Sequence, residues 1–474
     1  MLFRSIEALP NLIDAIRAKG YELVPVSTLA GLTPEQAMPV LSKDDVARAA
    51  DRTVFFAVGK FEHGLAWLFR FAIAIGLMRV ALLCALALWH ALRPARAPTE
   101  SATRPLVSVL IPAFNEAKVI AVAVERILHS NYPNLDVIVI DDGSSDGTAH
   151  VVRAAFGSEP RVRLLEQPNS GKARAVNLGL TQARGEIIVA LDADTQFMPD
   201  CIDHLVRWFA DPTIGAVAGN AKVGNRINTL TRWQALEYIT AQNLERRALA
   251  ALGCITVVPG AVGAWRRSAL AALGGFPART LAEDQDLTLA LQRAGHRIVF
   301  DPAAIAWTEA PQTFRGLARQ RFRWAYGTLQ CLWQYRDMCW RSRYGSLGML
   351  ALPQAWLFQI FFGLVSPLVD LALLWQIGTS LANYLQHPAQ MDTTNLLLTG
   401  SYYAVFTVVD IAAALVAFAL EKKEDWRLLW WLVQQRFGYR QLMYYVVLKS
   451  VWTAIRGPAV GWGTSEREAT VRTR

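Results

Sequence analysis

Ile187-Ile188-Val189-Ala190-Leu191-Asp192-Ala193-Asp194 sets the fold class: an unbroken apolar run closed by two carboxylates at alternate positions. A short run without polar alternation suits a strand covered on both faces. The pattern recurs at Val107–Ile111, Val137–Ile140 and Val162–Leu165. Helix-like stretches at Ala117–His129, Gly171–Gln182 and Pro199–Ala210 punctuate the series. Strands alternating with helices predict a layered α/β domain over 105–312, built on a parallel sheet of βαβ units. Ligands of such sheets sit beyond the carboxyl ends of the strands. Asp141 and Asp142 follow one run and Asp192 and Asp194 another, so the acidic groups gather where a ligand is expected.

Outside that block the composition changes. The chain has 474 residues, 53% of them hydrophobic and only 18% charged, with a mean hydropathy of +0.23. That is more apolar than a soluble domain needs. Spanning helices are expected at 65–92, 355–381 and 396–420, and 428–455 reads as one span or a hairpin interrupted by Gln434–Gln441 (QQRFGYRQ). Arg93, Arg96 and Arg104 follow the first apolar segment, and Glu421–Arg427 follows the third, which puts both flanks on the cytoplasmic side. Residues 456–474 would be a cytoplasmic tail. Within 313–345 arginines alternate with Trp324, Tyr326, Trp333, Tyr335 and Trp340, as in a helix lying at the bilayer interface. The net charge of +9 is dispersed beside apolar stretches, which favours anchoring to a lipid bilayer over nucleic acid. Five cysteines without paired spacing predict reduced thiols. The first apolar segment starts far from Met1, so no cleavable signal peptide is expected. Arg79, Asp370 and Asp410 fall near the middles of three apolar segments, which predicts that Arg79 pairs with one of the aspartates.

Several motifs carry chemistry. Ile111–Glu116 (IPAFNE) and Asp141–Thr148 (DDGSSDGT) each close a strand, where a carboxylate can accept the imide N–H of a uracil, although DDGSSDGT alone also fits an ordinary turn with an Asp helix cap. Asn169–Asn177 (NSGKARAVN) sets Lys172 and Arg174 at the start of a helix, where either can approach a diphosphate. Asp192 and Asp194 are suited to a divalent ion that bridges diphosphate oxygens. Glu283 and Asp284 open the stretch EDQDLTLALQRAG, and a carboxylate there can take a proton from a sugar hydroxyl. The alternative is a set of helix N-terminal acids that includes Asp286. Gln320–Trp324 (QRFRW) offers arginine for phosphate and an indole for the C–H face of a pyranose. Trp333 and Trp340 fit an interfacial belt better.

Taken in order from about Pro105 to Arg467, these motifs resemble the membrane-bound processive branch of glycosyltransferase family two, which includes cellulose, chitin, hyaluronan and poly-β-1,6-N-acetylglucosamine synthases. The resemblance implies a GT-A-like catalytic domain inserted between transmembrane helices of a multi-pass membrane protein in the cell membrane, with that domain cytoplasmic. It implies a UDP-sugar donor, Mg2+ or Mn2+, a growing polysaccharide as acceptor, and inversion to a β-linkage. By that resemblance Asp142, Lys172 and Asp192 bind the nucleotide, Asp194 holds the metal, and Asp284 is the catalytic base. Glu283, Gln320, Arg323 and Trp324 line the acceptor and diphosphate site. Gly461–Arg467 (GWGTSER) is similar to a GWGKLER-like ending in relatives, with Thr464 where lysine is expected. Residues 1–60, with a strand-like run at Tyr21–Val26, resemble the end of a polysaccharide deacetylase domain without its Asp and His cluster. UDP-N-acetylglucosamine is the expected donor. A non-processive transferase acting on a lipid carrier, and a non-catalytic membrane scaffold or export partner, are the competing readings.

Overall fold

The computed structural model describes residues 2–37, 46–93, 104–386, 394–421, 424–457 and 468–471. The chain divides into two compact units, 1–71 and 72–474. The first holds the Leu2–Ala18 helix, the short turns Val26–Leu29 and Pro34–Ala37, and the start of a long helix, Val46–Leu92. Tyr21–Pro25 is not a strand but irregular chain leading into the Val26–Leu29 turn. Among the described residues no strand pairs with this segment to supply the ladder bonds that a strand needs.

The second unit is built on one eight-stranded sheet with strand order β3-β2-β1-β4-β7-β6-β8-β5. The strands are β1 (Val107–Ala113), β2 (Leu135–Asp141), β3 (Val162–Glu166), β4 (Ile187–Ala190), β5 (Gln196–Phe197), β6 (Ile214–Val223), β7 (Gly263–Arg266) and β8 (Arg297–Thr308). β1 pairs in parallel with β2 and β4, and β2 with β3. β6 also pairs in parallel with β8, so the expected parallel pairing holds among β1 to β4 and again between β6 and β8. β7 runs antiparallel to both β4 and β6, and β5 antiparallel to β8, so the sheet is mixed. Alternation sends Val107, Val109 and Ile111 into one core and Leu110 into the other.

This topology places the site. The chain moves outward from β1 to β2 to β3, then returns to lay β4 on the other flank of β1. The loops leaving β1 and β4 therefore diverge, and the crevice between them is the switch point at which open α/β sheets bind ligands.

Two helical stretches, Arg70–Leu92 and Leu347–Leu368, are long and apolar enough to cross a membrane by length and composition, and Ala404–Leu420 is a shorter apolar helix. Beyond Leu420 a 3-10 turn (Trp426–Trp430), a short helix (Trp431–Gln435) and a longer one (Tyr439–Arg456) follow, with Gly438 at φ +112° between the last two. Arg79 does not pair with Asp370 or Asp410. It reaches Glu245 Oε1 at 3.0 Å and Gln354 Oε1 at 2.9 Å, and its guanidinium sits 4.7 Å from the Phe358 ring centroid. Asp410 instead binds Arg436 at 2.6 Å, and Asp370 accepts from Gln441 at 3.0 Å. The partly buried charge found a nearer carboxylate than the hydropathy pattern suggested, because the Leu244–Ala251 helix supplies Glu245.

Glu421 and Glu424, expected as a solvated flank, are buried. Lys222 of β6 lies 2.9 Å from each, Arg247 lies 2.8 Å from Glu421, and Arg226 lies 2.8 Å from Glu424. Lys222 is only 3% exposed, so these ions meet out of water and their mutual pairing is what makes the burial tolerable.

Candidate active site

The site begins in the turn after β2. Gly143 takes φ +75°, and a Cβ there would stand 2.7 Å from the amide nitrogen of Asn169, so the turn closes only around glycine. Asp142 anchors the facing loop: its carboxylate accepts from Gln167 Nε2 (2.6 Å), the Ser170 amide (2.9 Å) and hydroxyl (3.1 Å), and the Gly171 amide (2.8 Å). Both oxygens are spent on the 167–171 loop. That loop sets the start of the Lys172–Gln182 helix at the cavity edge.

Lys172 joins two motifs far apart in sequence. Its Nζ lies 2.8 Å from Asp192 Oδ1, beyond β4, and 2.9 Å from Glu283 Oε1, at the start of the Glu283–Arg293 helix. These two carboxylates and that of Asp284 hold the ammonium charged despite its burial. Gly260 lets the backbone pass close by, since a Cβ on it would lie 2.9 Å from Lys172 Nζ. Asp284 is lodged in the cleft, part of its surface open to the cavity. Its Oδ1 accepts the Gln285 amide at 2.8 Å and its Oδ2 the Gly260 amide at 3.3 Å. Burial and then the adjacent Glu283 charge push its carboxyl up to about 6, with Lys172 and the two amides pulling the other way. A carboxyl near 6 is ionised at neutral pH yet far more basic than an ordinary aspartate, which suits a general base.

Asp194 is buried beside Asp192. Its Oδ1 receives Thr195 Oγ1 at 3.2 Å and Thr308 Oγ1 at 3.4 Å, both long contacts. Among the described residues no group of three or more His, Cys, Asp or Glu side chains could hold a metal. The pair nevertheless fits Mg2+ or Mn2+, which is commonly held by one or two carboxylates with substrate phosphates completing the shell. Charge supports the fit: nine carboxylates but only four cationic side chains line the cavity, so a diphosphate needs a cation to enter with it.

Gln320, Arg323 and Trp324 reach the same cavity from the Phe314–Gln334 helix. All nine predicted site residues, Asp142, Lys172, Asp192, Asp194, Glu283, Asp284, Gln320, Arg323 and Trp324, therefore line one cavity of about 600 Å³. Beyond Trp324 its wall continues onto Gln359, Ile360, Met443, Val446 and Val447. Sequence reasoning missed Glu237, Arg246 and Glu309, which also line it. Burial lowers Arg246 to about 10, leaving it cationic at neutral pH. Glu309 accepts the Glu468 amide (3.1 Å) and the Thr470 hydroxyl (2.9 Å), which brings residues 468–471 to the mouth. None of the three belongs to a motif with its own signature. Gly461–Arg467 lies outside the described residues.

A GT-A-like sheet, acidic loops at its switch point and a cavity flanked by apolar helices define the class. Residues 104–327 match the family described as "Glycosyltransferase like family 2", so this part of the chain is similar to the glycosyltransferase domains of that family. Among curated proteins, the chain is 31% identical over 222 residues to the poly-beta-1,6-N-acetyl-D-glucosamine synthase of Staphylococcus aureus (strain COL), covering 47% of this chain and 54% of that one. The synthase of Staphylococcus epidermidis matches at 31% identity over 223 residues, with the same coverage. The chain thus spans about half the length of the curated relatives it matches. Among solved structures, the mannosyltransferase PcManGT from Pyrobaculum calidifontis, in complex with GDP-Man and Mn2+, aligns at a TM-score of 0.49 and 22% identity over 81% of this chain and 98% of that one.

Proposed function

We propose that this protein is a processive, inverting β-glycosyltransferase that polymerises UDP-N-acetylglucosamine into a polysaccharide extruded across the cell membrane. One observation carries the reading: a single cavity holds the acidic groups suited to a donor and, on its other wall, the Trp324 indole suited to an acceptor. The relatedness to poly-N-acetylglucosamine synthases supports the choice of donor. The continuation of the cavity onto apolar helices supports extrusion, and Arg93 and Arg104 after the Arg70–Leu92 helix support a cytoplasmic catalytic domain.

Asp284 takes the proton of an acceptor hydroxyl as its oxygen attacks the anomeric carbon. The glycosidic C–O bond to the diphosphate breaks as the new one forms, the electron pair leaves with UDP, and the proton stays on the carboxylate. A single displacement of this kind inverts the anomeric carbon. Asp192 and Asp194 would hold Mg2+ or Mn2+, which neutralises charge on the leaving diphosphate. Lys172 bridges Asp192 and Glu283 and offsets part of the rise that burial and Glu283 impose on Asp284, so that the base is ionised at neutral pH. Gln320 and Arg323 orient the diphosphate, and Asp142 shapes the nucleotide end by holding the 167–171 loop. Residues 1–60 are read as kin to the end of a deacetylase domain, and no deacetylation is assigned to them.

Purified protein in lipid, given a panel of UDP-sugars and divalent ions, tests this reading. The expected result is UDP release with UDP-N-acetylglucosamine and a β-linked polymer. A product one sugar long would support the lipid-carrier alternative, and no UDP release with any donor would support the scaffold.

A further inference from the structure

Arg321 is the charged residue of QRFRW to which neither donor nor acceptor chemistry gave a task. It is 4% exposed yet forms part of the cavity wall. Residues three apart on a helix share a face, and its guanidinium lies 4.2 Å from the Trp324 ring centroid, a cation stacked on an aromatic face. Arg321 Nη2 also meets Glu237 Oε2 at 2.8 Å. Glu237 accepts the phenol of Tyr439 as well, the residue that opens the Tyr439–Arg456 helix. Tyr238 flanks the same indole, its ring centroid 6.4 Å away. A guanidinium is removed from water only with a partner, and Glu237 is that partner.

The consequence lies in the indole. A tryptophan on a helix surface loses rotamer freedom when a sugar stacks on it, and that loss weakens binding unless the ring is already fixed. We propose that Arg321, held by Glu237 and Tyr439, is a positioning residue that fixes Trp324 as a preformed platform for a neutral pyranose acceptor. This rests on the acceptor role given to Trp324 above. Arg321 covers one side of the ring and Tyr238 abuts it, while 37% of Trp324 remains exposed. The Tyr439–Arg456 helix, packed along the Phe314–Gln334 helix, thereby helps to build the acceptor site.

The test uses full-length enzyme, UDP-N-acetylglucosamine and a β-linked N-acetylglucosamine oligosaccharide. Arg321→Lys keeps the charge opposite Glu237 but loses the planar fork that stacks. It is expected to raise the acceptor KM about tenfold while the donor KM stays within about twofold. Tyr439→Phe removes one hydroxyl from the support and is expected to move the acceptor KM in the same direction by less; it decides the matter if Arg321→Lys does not fold. An acceptor KM within about twofold of wild type in the folded variants would overturn the inference. So would donor and acceptor KM rising together, which marks general damage. If the wild-type enzyme transfers nothing to the oligosaccharide, the reading of Trp324 fails; if it elongates and the variants match it, only the role of Arg321 fails.

Discussion

Acidifying the assay tests the catalytic base. With the Asp284 carboxyl pushed up to about 6 by burial and by Glu283, about 90% of the enzyme carries an ionised base at pH 7 and about 10% at pH 5. Only the ionised form accepts the hydroxyl proton. kcat/KM at subsaturating donor reports the free enzyme and is expected to fall roughly tenfold between those two pH values. Two substitutions fix the sign. Glu283→Gln removes the like charge that raises Asp284, so the acid limb moves to lower pH. Lys172→Met removes the positive charge that lowers Asp284 and leaves Glu283 unopposed, so the limb moves to higher pH. Both residues line the cavity and plateau activity will drop in each, so every profile is normalised to its own plateau. A flat wild-type profile between pH 5 and 7, or two variants moving the same way, would refute the reasoning.

The raised carboxyl also bears on stability. Its folded value lies above the ordinary 3.8, so between about pH 4 and 6 the folded protein keeps a proton that the unfolded chain releases, and stability falls as pH rises through that window. Asp284→Asn is therefore expected to abolish turnover yet stabilise the protein at pH 7, by at most about 3 kcal/mol; an unchanged or lower unfolding midpoint would count against a strained base. Glu421→Gln leaves Lys222 and Arg247 short of a charge in a dry setting and is expected to cost about 3–5 kcal/mol, read as a lower unfolding temperature in detergent. A loss under 1 kcal/mol would mean that water reaches the cluster. Asp194→Ala and excess EDTA are each expected to cut UDP release at least a hundredfold, and full activity in EDTA would remove the metal from the scheme.

How much of this was legible in the sequence depended on which face each residue had to satisfy. β1, β2 and β4 are buried on both faces and are written mostly in Val, Ile and Leu, and the edge strand β3, only partly buried, still keeps Val162, Leu164 and Leu165. β6 escaped notice because it carries Gly215, Gly219, Asn220 and Lys222, each answering a distant neighbour. A Cβ on Gly215 would meet His296 at 2.6 Å, and one on Gly219 would meet Val262 at 2.4 Å. Lys222 is a strand residue whose partners lie about 200 positions away, and nothing local announces them. The site motifs were readable because strand ends need small residues and carboxylates in fixed order. Glu237, Arg246 and Glu309 were not, since each depends on where the helices and β8 come to rest. Arg79 was rightly taken as a charge in need of a partner, but hydropathy ranks depth in a bilayer and is blind to a carboxylate such as Glu245 arriving from another element.

The cluster around Lys222 also bears on how this protein can be dissected. A fragment cut to the glycosyltransferase domain, ending near Gln334, would retain Lys222, Arg226 and Arg247 but lose Glu421 and Glu424, which neutralise them. It would lose Tyr439 as well, and with it one support of Glu237. Such a fragment would strip Lys222, Arg226 and Arg247 of the two carboxylates that meet them in the whole protein and would open the face on which those ions are buried, a worse state than the whole protein. The catalytic fold and the helices after it were matched to each other residue by residue, and solubility obtained by trimming would come at the expense of the sheet that holds the site.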